Sequence, residues 1–299
     1  MIGGSDPLFY AYNFGYYMNI MTMDIFSSIP DIDGNVPEEI ILPEQTESIR
    51  RVNINGKRHY EVTTKDGVII GAFPSITTIL SETQDNTFLE RWRERIGDEE
   101  ADKISVEATE RGTVMHRLCE LYCELPDTMD KHKRLQMMVE NARDDEEVNQ
   151  HDTRSVIVGT QLFFNFYHAG LFSTIKKGIF QEKFLWNHFI YKGEDLSYAG
   201  TVDNFSVVVE DGYKKVIDFK TAKKRKPEKW IISYKKQCAA YAYAIKARYD
   251  IMPDGCEIWI SNEVDNDPQC FKMNSDDIKY YFKEFLKDRR KLNQIKKES

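Results

Sequence analysis

The sequence has few cysteines and no long apolar segment, and both absences limit the class of protein. Its 299 residues include five cysteines, an odd number without the spacing of a disulfide framework. Reduced thiols and a cytoplasmic location are therefore expected. No stretch reaches the roughly 18 to 20 apolar residues that a membrane-spanning helix needs, so no membrane association is expected.

The chain also lacks an overall excess of basic residues, which argues against a generally cationic nucleic-acid-binding surface. Acidic residues number 49 against 41 lysines and arginines, for a net charge of −8. Positive charge is concentrated between Lys214 and Lys236, where ten basic residues meet only two acidic ones. Such a cluster is typical of a phosphate-binding surface, although a solvated loop has the same composition. The candidate DNA-binding residues in this segment are Lys223, Lys224, Arg225 and Lys226.

Hydrophobic residues make up 41% of the chain, enough for one large folded domain. Residues 1–48 contain prolines and acidic residues typical of a poorly ordered extension, which leaves residues 49–299 as the folded domain. Strand patterns occur at 51–73, 178–185, 189–191, 198–209, 214–220 and 257–261. Helical patterns occur at 86–97, 98–124, 127–152, 155–169, 228–249 and 275–295. This order predicts an α/β fold with a mixed sheet and additional helices on its N-terminal side.

Two of these strands, 198–209 and 214–220, form a predicted hairpin. The first is rich in β-forming residues and the second alternates polar with apolar residues. Between them, Asp211 and Gly212 are a signal for a two-residue turn. A turn of that length would pair Glu210 with Tyr213 and so determine the register of the whole hairpin.

In this register, three polar residues lie on one face of the hairpin. Asp203 is expected opposite Lys220, and Asp218 opposite Phe205. Residues that face each other, or lie two apart on a strand, share a face of the sheet. Asp203, Asp218 and Lys220 therefore share one face, whereas Phe219 points to the other.

The chemistry of this face suits a divalent cation. Two nearby carboxylates repel each other, which raises a pKa unless a cation lies between them. Oxygen ligands of this kind suit Mg²⁺ or Mn²⁺, which also bind phosphate. A solvated ion pair on an ordinary hairpin would use the same residues. The additional motifs Gly200-x-x-Asp203 and Gln237-x-x-x-Tyr241 favour the metal site.

Several motifs together resemble the RecB-like branch of the PD-(D/E)XK nuclease superfamily. They are Phe73-Pro-Ser-Ile-Thr-Thr-Ile-Leu80, a Trp-Arg helix, Arg111-Gly-Thr-x-x-His116-x-x-x-Glu120, Gly200-x-x-Asp203, Ile217-Asp-Phe-Lys220 and Gln237-x-x-x-Tyr241. Their order and spacing are similar to those of the mitochondrial genome maintenance exonuclease and related phage exonucleases. The resemblance implies a restriction-endonuclease-like αβββαβ core in residues 49–299, with an added N-terminal helical region.

The resemblance also implies a set of metal ligands. Asp203 and Asp218 would bind the metal directly, and the Phe219 carbonyl would complete the shell. Glu182 would bind through water, and His116 through its imidazole. A histidine on a helix face is otherwise commonly a core residue, and Arg111-Gly-Thr before His116 favours the metal role.

The remaining roles follow from the same resemblance. Lys220 would position or polarise the attacking water and stabilise charge on the phosphate, which makes Asp203, Asp218 and Lys220 the catalytic set. Glu120 lies one helical turn from His116 and would orient it. The other residues assigned to DNA binding or support are Ser75, Thr77, Trp92, Arg111, Gln237 and Tyr241. Of these, Trp92 would stack on a base, although a helical tryptophan is more often a core residue.

The implied function is that of a Mg²⁺-dependent deoxyribonuclease, with Mn²⁺ as a substitute. An exonuclease acting on DNA with single-stranded segments or ends is expected, in a bacterial or phage-infected cytoplasm. No iron–sulfur cluster is expected, because Cys256 and Cys270 stand far apart without companions. A structure-specific endonuclease of the same fold would carry the same three catalytic residues. An inactive DNA-binding subunit is a further alternative, but it has no chemical need for them.

Overall fold

The computed structural model describes residues 47–209 and 212–298, which form a mixed α/β structure. The strands are β1 Ser48–Ile54, β2 Lys57–Thr63, β3 Ile69–Pro74, β4 Ile175–Asn187, β5 Ile190–Tyr191, β6 Glu194–Asp195, β7 Tyr198–Val208, β8 Lys214–Ala222, β9 Gly255–Asn262 and β10 Gln269–Met273. The helices are α1 Ile76–Thr83, α2 Thr87–Ile96, α3 Asp98–Glu124, α4 Lys131–Arg143, α5 Glu146–Asn149, α6 Thr153–His168, α7 Ile232–Tyr249 and α8 Ser275–Glu298.

The central sheet has five strands in the order β10-β9-β8-β7-β4. Strands β8 and β9 are parallel and the other neighbours are antiparallel. A parallel pair needs a crossover connection, and α7 provides it here. The succession β4, β7, β8, α7, β9 confirms the expected α/β fold with a mixed sheet.

Each face of the central sheet is covered by helices, and the alternation of side chains along β8 and β9 explains why. Val216 and Ile258 belong to a buried cluster with residues of α1, α7 and α8. Ile217, Phe219 and Trp259 belong to a second cluster with residues of α3 to α6. Successive residues of a strand point to opposite faces, so Phe219 points away from its neighbours in sequence, as expected.

A separate antiparallel sheet, in the order β1-β2-β3, precedes the helices. Its strands are joined at two turns, Asn55-Gly56 and Asp66-Gly67, where the glycines have φ values of +76° and +82°. This N-terminal sheet contacts the central sheet where the rings of Phe73 and Trp186 stack with centroids 5.8 Å apart. The contact places the start of α1 beside β7, where Ser75 forms a bridge to Ala199.

The predicted register of the β7–β8 hairpin is wrong by two residues. Phe205 pairs with Val216 rather than with Asp218. The connection is longer than two residues, because the Val208 N–H donates to the Tyr213 carbonyl at 2.9 Å. Positions 210 and 211 of this connection lie outside the described residues. A shift of two residues returns every side chain to its original face, so the expected sharing of a face is unaffected.

Other boundaries differ from the sequence-based expectation. The helix expected at 228–249 begins only at Ile232, after a 3₁₀ turn at Glu228–Trp230. The strand expected at 189–191 pairs with β6 in a separate two-stranded sheet. Strand β10 was not expected. The predicted N-terminal extension, residues 1–48, lies outside the described residues except for its last two positions.

Within the described ranges, none of the helices combines the length and the apolar character that crossing a bilayer requires.

Candidate active site

The candidate site begins where β7 and β8 separate. The two strands are paired from Val207–Lys214 to Asn204–Ile217, and their pairing ends there. Beyond this point β8 stays paired with β9 as far as Ala222. The N–H of Phe219 donates instead to the Asp203 carboxylate at 2.7 Å. The separation therefore opens the sheet on one side and fixes the orientation of Asp203, which is 8% exposed.

Asp218 and Lys220 form a buried ion pair beside this opening. The Lys220 ammonium lies 2.5 Å from the Asp218 carboxylate and 3.2 Å from the Phe219 carbonyl. Among the described residues, neither oxygen of Asp218 accepts a well-directed hydrogen bond. Burial raises the pKa of Asp218 to about 6, against the opposing effect of Lys220. A fully buried carboxylate with so few donors suits a nearby cation.

The charge of Lys220 is maintained by its neighbours. Burial alone would lower the pKa of this lysine, but the carboxylates of Asp218 and Asp203 raise it above its ordinary value. Its ammonium also lies 5.4 Å from the centre of the Tyr234 ring. Lys220 is therefore protonated at neutral pH, so it can stabilise negative charge but cannot act as a general base.

Three residues from three elements form a candidate metal centre. His116 of α3, Glu182 of β4 and Asp203 of β7 each present one ligand atom, and these atoms all lie within 4.8 Å of one another. The Nδ1 atom of His116 is 3.7 Å from the Asp203 carboxylate. One imidazole and two carboxylates are a donor set that fits a divalent cation. The other two expected ligands, the Asp218 carboxylate and the Phe219 carbonyl, lie beside the Lys220 ammonium, at 2.5 Å and 3.2 Å from it.

Glu182 has an unusual backbone conformation for its position in a strand. It lies between the pairs Gln181–Asn204 and Lys183–Val202, across from Asp203. Its φ is +41°, in the left-handed region that is uncommon for residues other than glycine. Burial and the charge of Asp203 raise the pKa of Glu182 to about 9. Strain and a raised pKa in one carboxylate are features of functional sites.

The imidazole of His116 is held in its neutral form. Burial, together with the charge of Lys220, lowers its pKa to about 4. A neutral imidazole is the form that binds metals. The electrostatics of the site therefore agree with the expected ligand role of His116.

A cleft of about 460 Å³ lies over these residues. Its lining comes from β2, α1, α3, α5, β4, β7, β8 and α7. Thr77, Gln237 and Tyr241 are expected site residues that line it, together with His116, Glu182, Asp203 and Lys220. The structure thus brings residues from a long stretch of the sequence to one cavity.

Gly200 explains how Tyr241 reaches the site. A Cβ atom at position 200 would lie 3.0 Å from the Tyr241 ring and 3.2 Å from Ile76, closer than ordinary packing allows. The absence of a side chain therefore lets Tyr241 pack directly on β7. Gln237 donates to the Tyr241 hydroxyl at 3.1 Å, which agrees with a supporting role for both residues.

The two hydroxyl residues at the start of α1 differ in availability. Ser75 is 1% exposed, and its hydroxyl caps α1 by accepting the Thr78 N–H at 3.0 Å. Thr77 is exposed and lines the cleft. Both residues line the cleft, and their hydroxyl oxygens lie 3.0 Å apart. Ser75 therefore has a structural role as a helix cap, and Thr77 is the more exposed hydroxyl of the two.

Three expected residues lie elsewhere or have other partners. Arg111 is 2.9 Å from the carboxylate of Glu263 and does not line the cleft. Glu120 lines the cleft, but it pairs with Arg117 at 2.5 Å, which takes up the carboxylate that was expected to orient His116. Trp92 is half-buried in α2 and is not among the residues that line the cleft.

The basic segment after β8 is only partly available. Arg225 is 3.0 Å from the Asp267 carboxylate and 3.5 Å from that of Asp265. Lys223 and Lys224 are exposed, and the described residues offer them no ion-pair partner. The Lys226 ammonium lies 5.7 Å from the centre of the Tyr234 ring. Lys223 and Lys224 are thus the best candidates for phosphate contacts in this segment.

Several cleft residues were not expected from the sequence. Among them are Arg58, Tyr60, Thr109, Thr113, Arg117 and Glu147. Two signals could have found some of them. Arg58 and Tyr60 are two apart on a strand and so share a face, and Thr109 and Thr113 precede His116 at helical spacing.

Comparison with known proteins identifies the superfamily of the chain. A family model of the PD-(D/E)XK nuclease superfamily matches residues 87–298. The chain belongs to the PD-(D/E)XK nuclease superfamily, whose members are nucleases that use divalent metal ions. The crystal structure of SSO0001 is similar at a TM-score of 0.30 and 16% identity, covering 58% of this chain and 74% of that chain. No curated protein matches the chain.

Proposed function

We propose that this nuclease is a Mg²⁺-dependent deoxyribonuclease that removes nucleotides from DNA with single-stranded segments or ends. The observation that carries the proposal is the position of Asp203, Glu182, His116 and Lys220 together in one cleft. We also propose that it belongs to the RecB-like branch and resembles the mitochondrial genome maintenance exonuclease, on the motifs between Phe73 and Tyr241.

The size and lining of the cleft support a single strand as the substrate. A volume of about 460 Å³ falls within the roughly 300–1,000 Å³ of sites that enclose small molecules. Residues of α3 and of the N-terminal sheet line it alongside the catalytic residues. One strand can enter a space of this kind with its bases unpaired, whereas a duplex would first have to open.

Each residue of the site has a distinct role in hydrolysis. A divalent ion held in this site would supply an activated water and neutralise charge on the phosphate. His116, Glu182 and Asp203 would hold this ion, and the Phe219 N–H keeps Asp203 oriented towards them. Asp218 sets the position and charge of Lys220. The Lys220 ammonium then stabilises the negative charge that grows on the phosphate during attack.

Circular DNA separates exonuclease from endonuclease action. End-labelled linear single strands, duplexes with overhangs and closed circular single strands would be incubated with the protein in Mg²⁺. We expect linear strands to shorten while circles survive. Cleaved circles would instead indicate a structure-specific endonuclease of the same fold, and binding without any cleavage would indicate an inactive DNA-binding subunit. An Asp218→Asn variant prepared identically controls for contaminating nucleases.

A further inference from the structure

A second cavity of about 700 Å³ adjoins the candidate active site. We call it the outer groove, and its main lining residues are Arg51, Asn53, Lys57, Arg58, Thr77 and Glu82. Arg58 and Thr77 line both the outer groove and the catalytic cleft. A ligand that fills the cleft can therefore continue past these two residues into the outer groove.

The outer groove is positively charged, in contrast to the protein as a whole. Its lining has three basic side chains and one carboxylate, and that carboxylate, Glu82, already pairs with Lys57. Arg51 and Arg58 are exposed and have no ion-pair partner among the described residues. Two uncompensated guanidinium groups on a chain of net charge −8 indicate an anionic ligand.

The register of the N-terminal sheet places these charges in a row that leads away from the cleft. Arg58 pairs with Asn53, and Tyr60 pairs with Arg51. Paired residues and residues two apart share a face of the sheet, so all four side chains lie on one face. Tyr60 and Arg58 of β2 line the cleft, and Arg51 lies on β1, about 4.8 Å further out.

The wall between the two cavities is held rigidly. The Arg58 carbonyl accepts the Ser75 N–H at 3.0 Å and the Thr78 hydroxyl at 3.2 Å. These hydrogen bonds attach β2 to the first turn of α1, where Thr77 faces both cavities. The guanidinium of Arg58 therefore projects from a fixed backbone at the boundary of the cleft.

We propose that the outer groove binds the phosphate backbone of a DNA strand beyond the nucleotides held in the catalytic cleft. Arg58 would contact a phosphate at the boundary and Arg51 one further out. The proposal rests on the proposed nuclease function, and it adds where the substrate strand lies outside the catalytic cleft. It requires that a strand long enough to reach Arg51 binds more tightly than one that only fills the cleft.

The test compares short and long single strands in Arg51→Gln. Binding of a labelled trinucleotide and of a strand about 15 nucleotides long would be measured by fluorescence anisotropy in Ca²⁺ over a range of salt concentrations. We expect Arg51→Gln to weaken binding of the long strand roughly three- to tenfold and to reduce the slope of log affinity against log salt by about 0.7. Binding of the trinucleotide should not change. Arg51→Lys should restore most of the salt slope.

The matched control is Arg50→Gln. Arg50 is the preceding residue of β1, on the opposite face, and it pairs with Glu61 at 2.7 Å. It should behave as the wild type, and circular dichroism checks that each variant is folded. An unchanged salt slope in Arg51→Gln, or equal weakening of the binding of both strands, would contradict the proposal that the outer groove binds the DNA backbone. Cleavage in Mg²⁺ is scored separately. A protein that binds the long strand through Arg51 but never cleaves it contradicts only the nuclease proposal.

Discussion

At the scale of single residues, Asp218 and Lys220 each depend on the other for their charge. Both are largely shielded from water, and the ammonium of one lies 2.5 Å from the carboxylate of the other. Removing one partner of a buried pair leaves the second charge uncompensated, which is strongly unfavourable. Substitutions here therefore need a control that separates lost chemistry from lost stability.

We predict that Asp218→Asn and Lys220→Ala each reduce DNA cleavage by more than about tenfold, equivalent to about 1.4 kcal/mol of transition-state stabilisation, while DNA binding in Ca²⁺ is largely retained. In Asp218→Asn, the Lys220 ammonium loses the carboxylate that positions it. In Lys220→Ala, the ammonium itself is absent. Single-turnover cleavage rates measure the effect. Glu257→Gln is the matched control, because Glu257 is a buried carboxylate 3.3 Å from Lys215 on the same sheet. An equal loss in Glu257→Gln would show that the effect is structural.

The pKa of Glu182 predicts how Mg²⁺ changes stability with pH. Its pKa in the folded protein is raised to about 9 from an ordinary value of 4.5. The folded state therefore holds this proton more tightly, so the stabilisation is complete below about pH 4.5 and is lost as the pH rises through 9. Mg²⁺ must displace the same proton, so it should bind more tightly at high pH.

We accordingly expect the metal-free protein to have a lower Tm at pH 9 than at pH 6. Added Mg²⁺ should raise the Tm more at pH 9 than at pH 6. Differential scanning fluorimetry in chelator and in excess Mg²⁺ measures both effects. Glu182→Gln has no titrating carboxyl at this position, so its metal-free Tm should depend less on pH. The same pH dependence in Glu182→Gln would assign it to other groups.

At the scale of elements, the hairpin shows what the sequence could predict and what it could not. The alternation of residues along β8 correctly assigned Asp218 and Lys220 to one face and Phe219 to the other. The register was wrong because it depended on the length of the turn between Val208 and Tyr213. Period-two patterns determine the face of a strand, and a shift of two residues does not alter that pattern.

Contacts between segments that are distant in the chain also could not be predicted from the sequence. Arg225 belongs to a basic run, but its partner Asp267 lies 42 residues later, and only the folded connection between β9 and β10 brings the two together. Glu120 was placed one turn from His116, yet Arg117 lies at an equally favourable helical spacing and carries the opposite charge. Nothing in the local pattern distinguishes these alternatives.

This arrangement predicts unequal roles within the basic segment. Lys223→Gln combined with Lys224→Gln should weaken DNA binding for all sequences and reduce the salt slope by at most about 1.4, from roughly 0.7 per contact. Arg225→Gln is the internal control, because its guanidinium already contacts Asp267 and should add little to the slope. Anisotropy titrations at several salt concentrations measure both. An unchanged slope in the double variant would identify the segment as a solvated loop.

At the scale of the whole molecule, a net charge of −8 makes the distribution of charge more important than its total. Exposed cations that have no ion-pair partner among the described residues occur at Lys223 and Lys224, a few positions after the cleft residue Lys220, and at Arg51 and Arg58, which line the outer groove. Local positive potential beside a cleft directs a polyanion to that position, so we expect these residues to contribute to the affinity and the orientation of bound DNA.

We propose above all that His116, Glu182 and Asp203 together hold a divalent ion, and that this ion is required for phosphodiester hydrolysis. The most direct test is the cleavage rate of labelled single-stranded DNA by the wild type and by Asp203→Asn, each in excess EDTA and after addition of Mg²⁺. We predict no cleavage in EDTA, full recovery of the wild type in Mg²⁺, and no recovery of Asp203→Asn. Cleavage that continues in excess chelator, or a folded Asp203→Asn protein that Mg²⁺ restores to the wild-type rate, would contradict the claim.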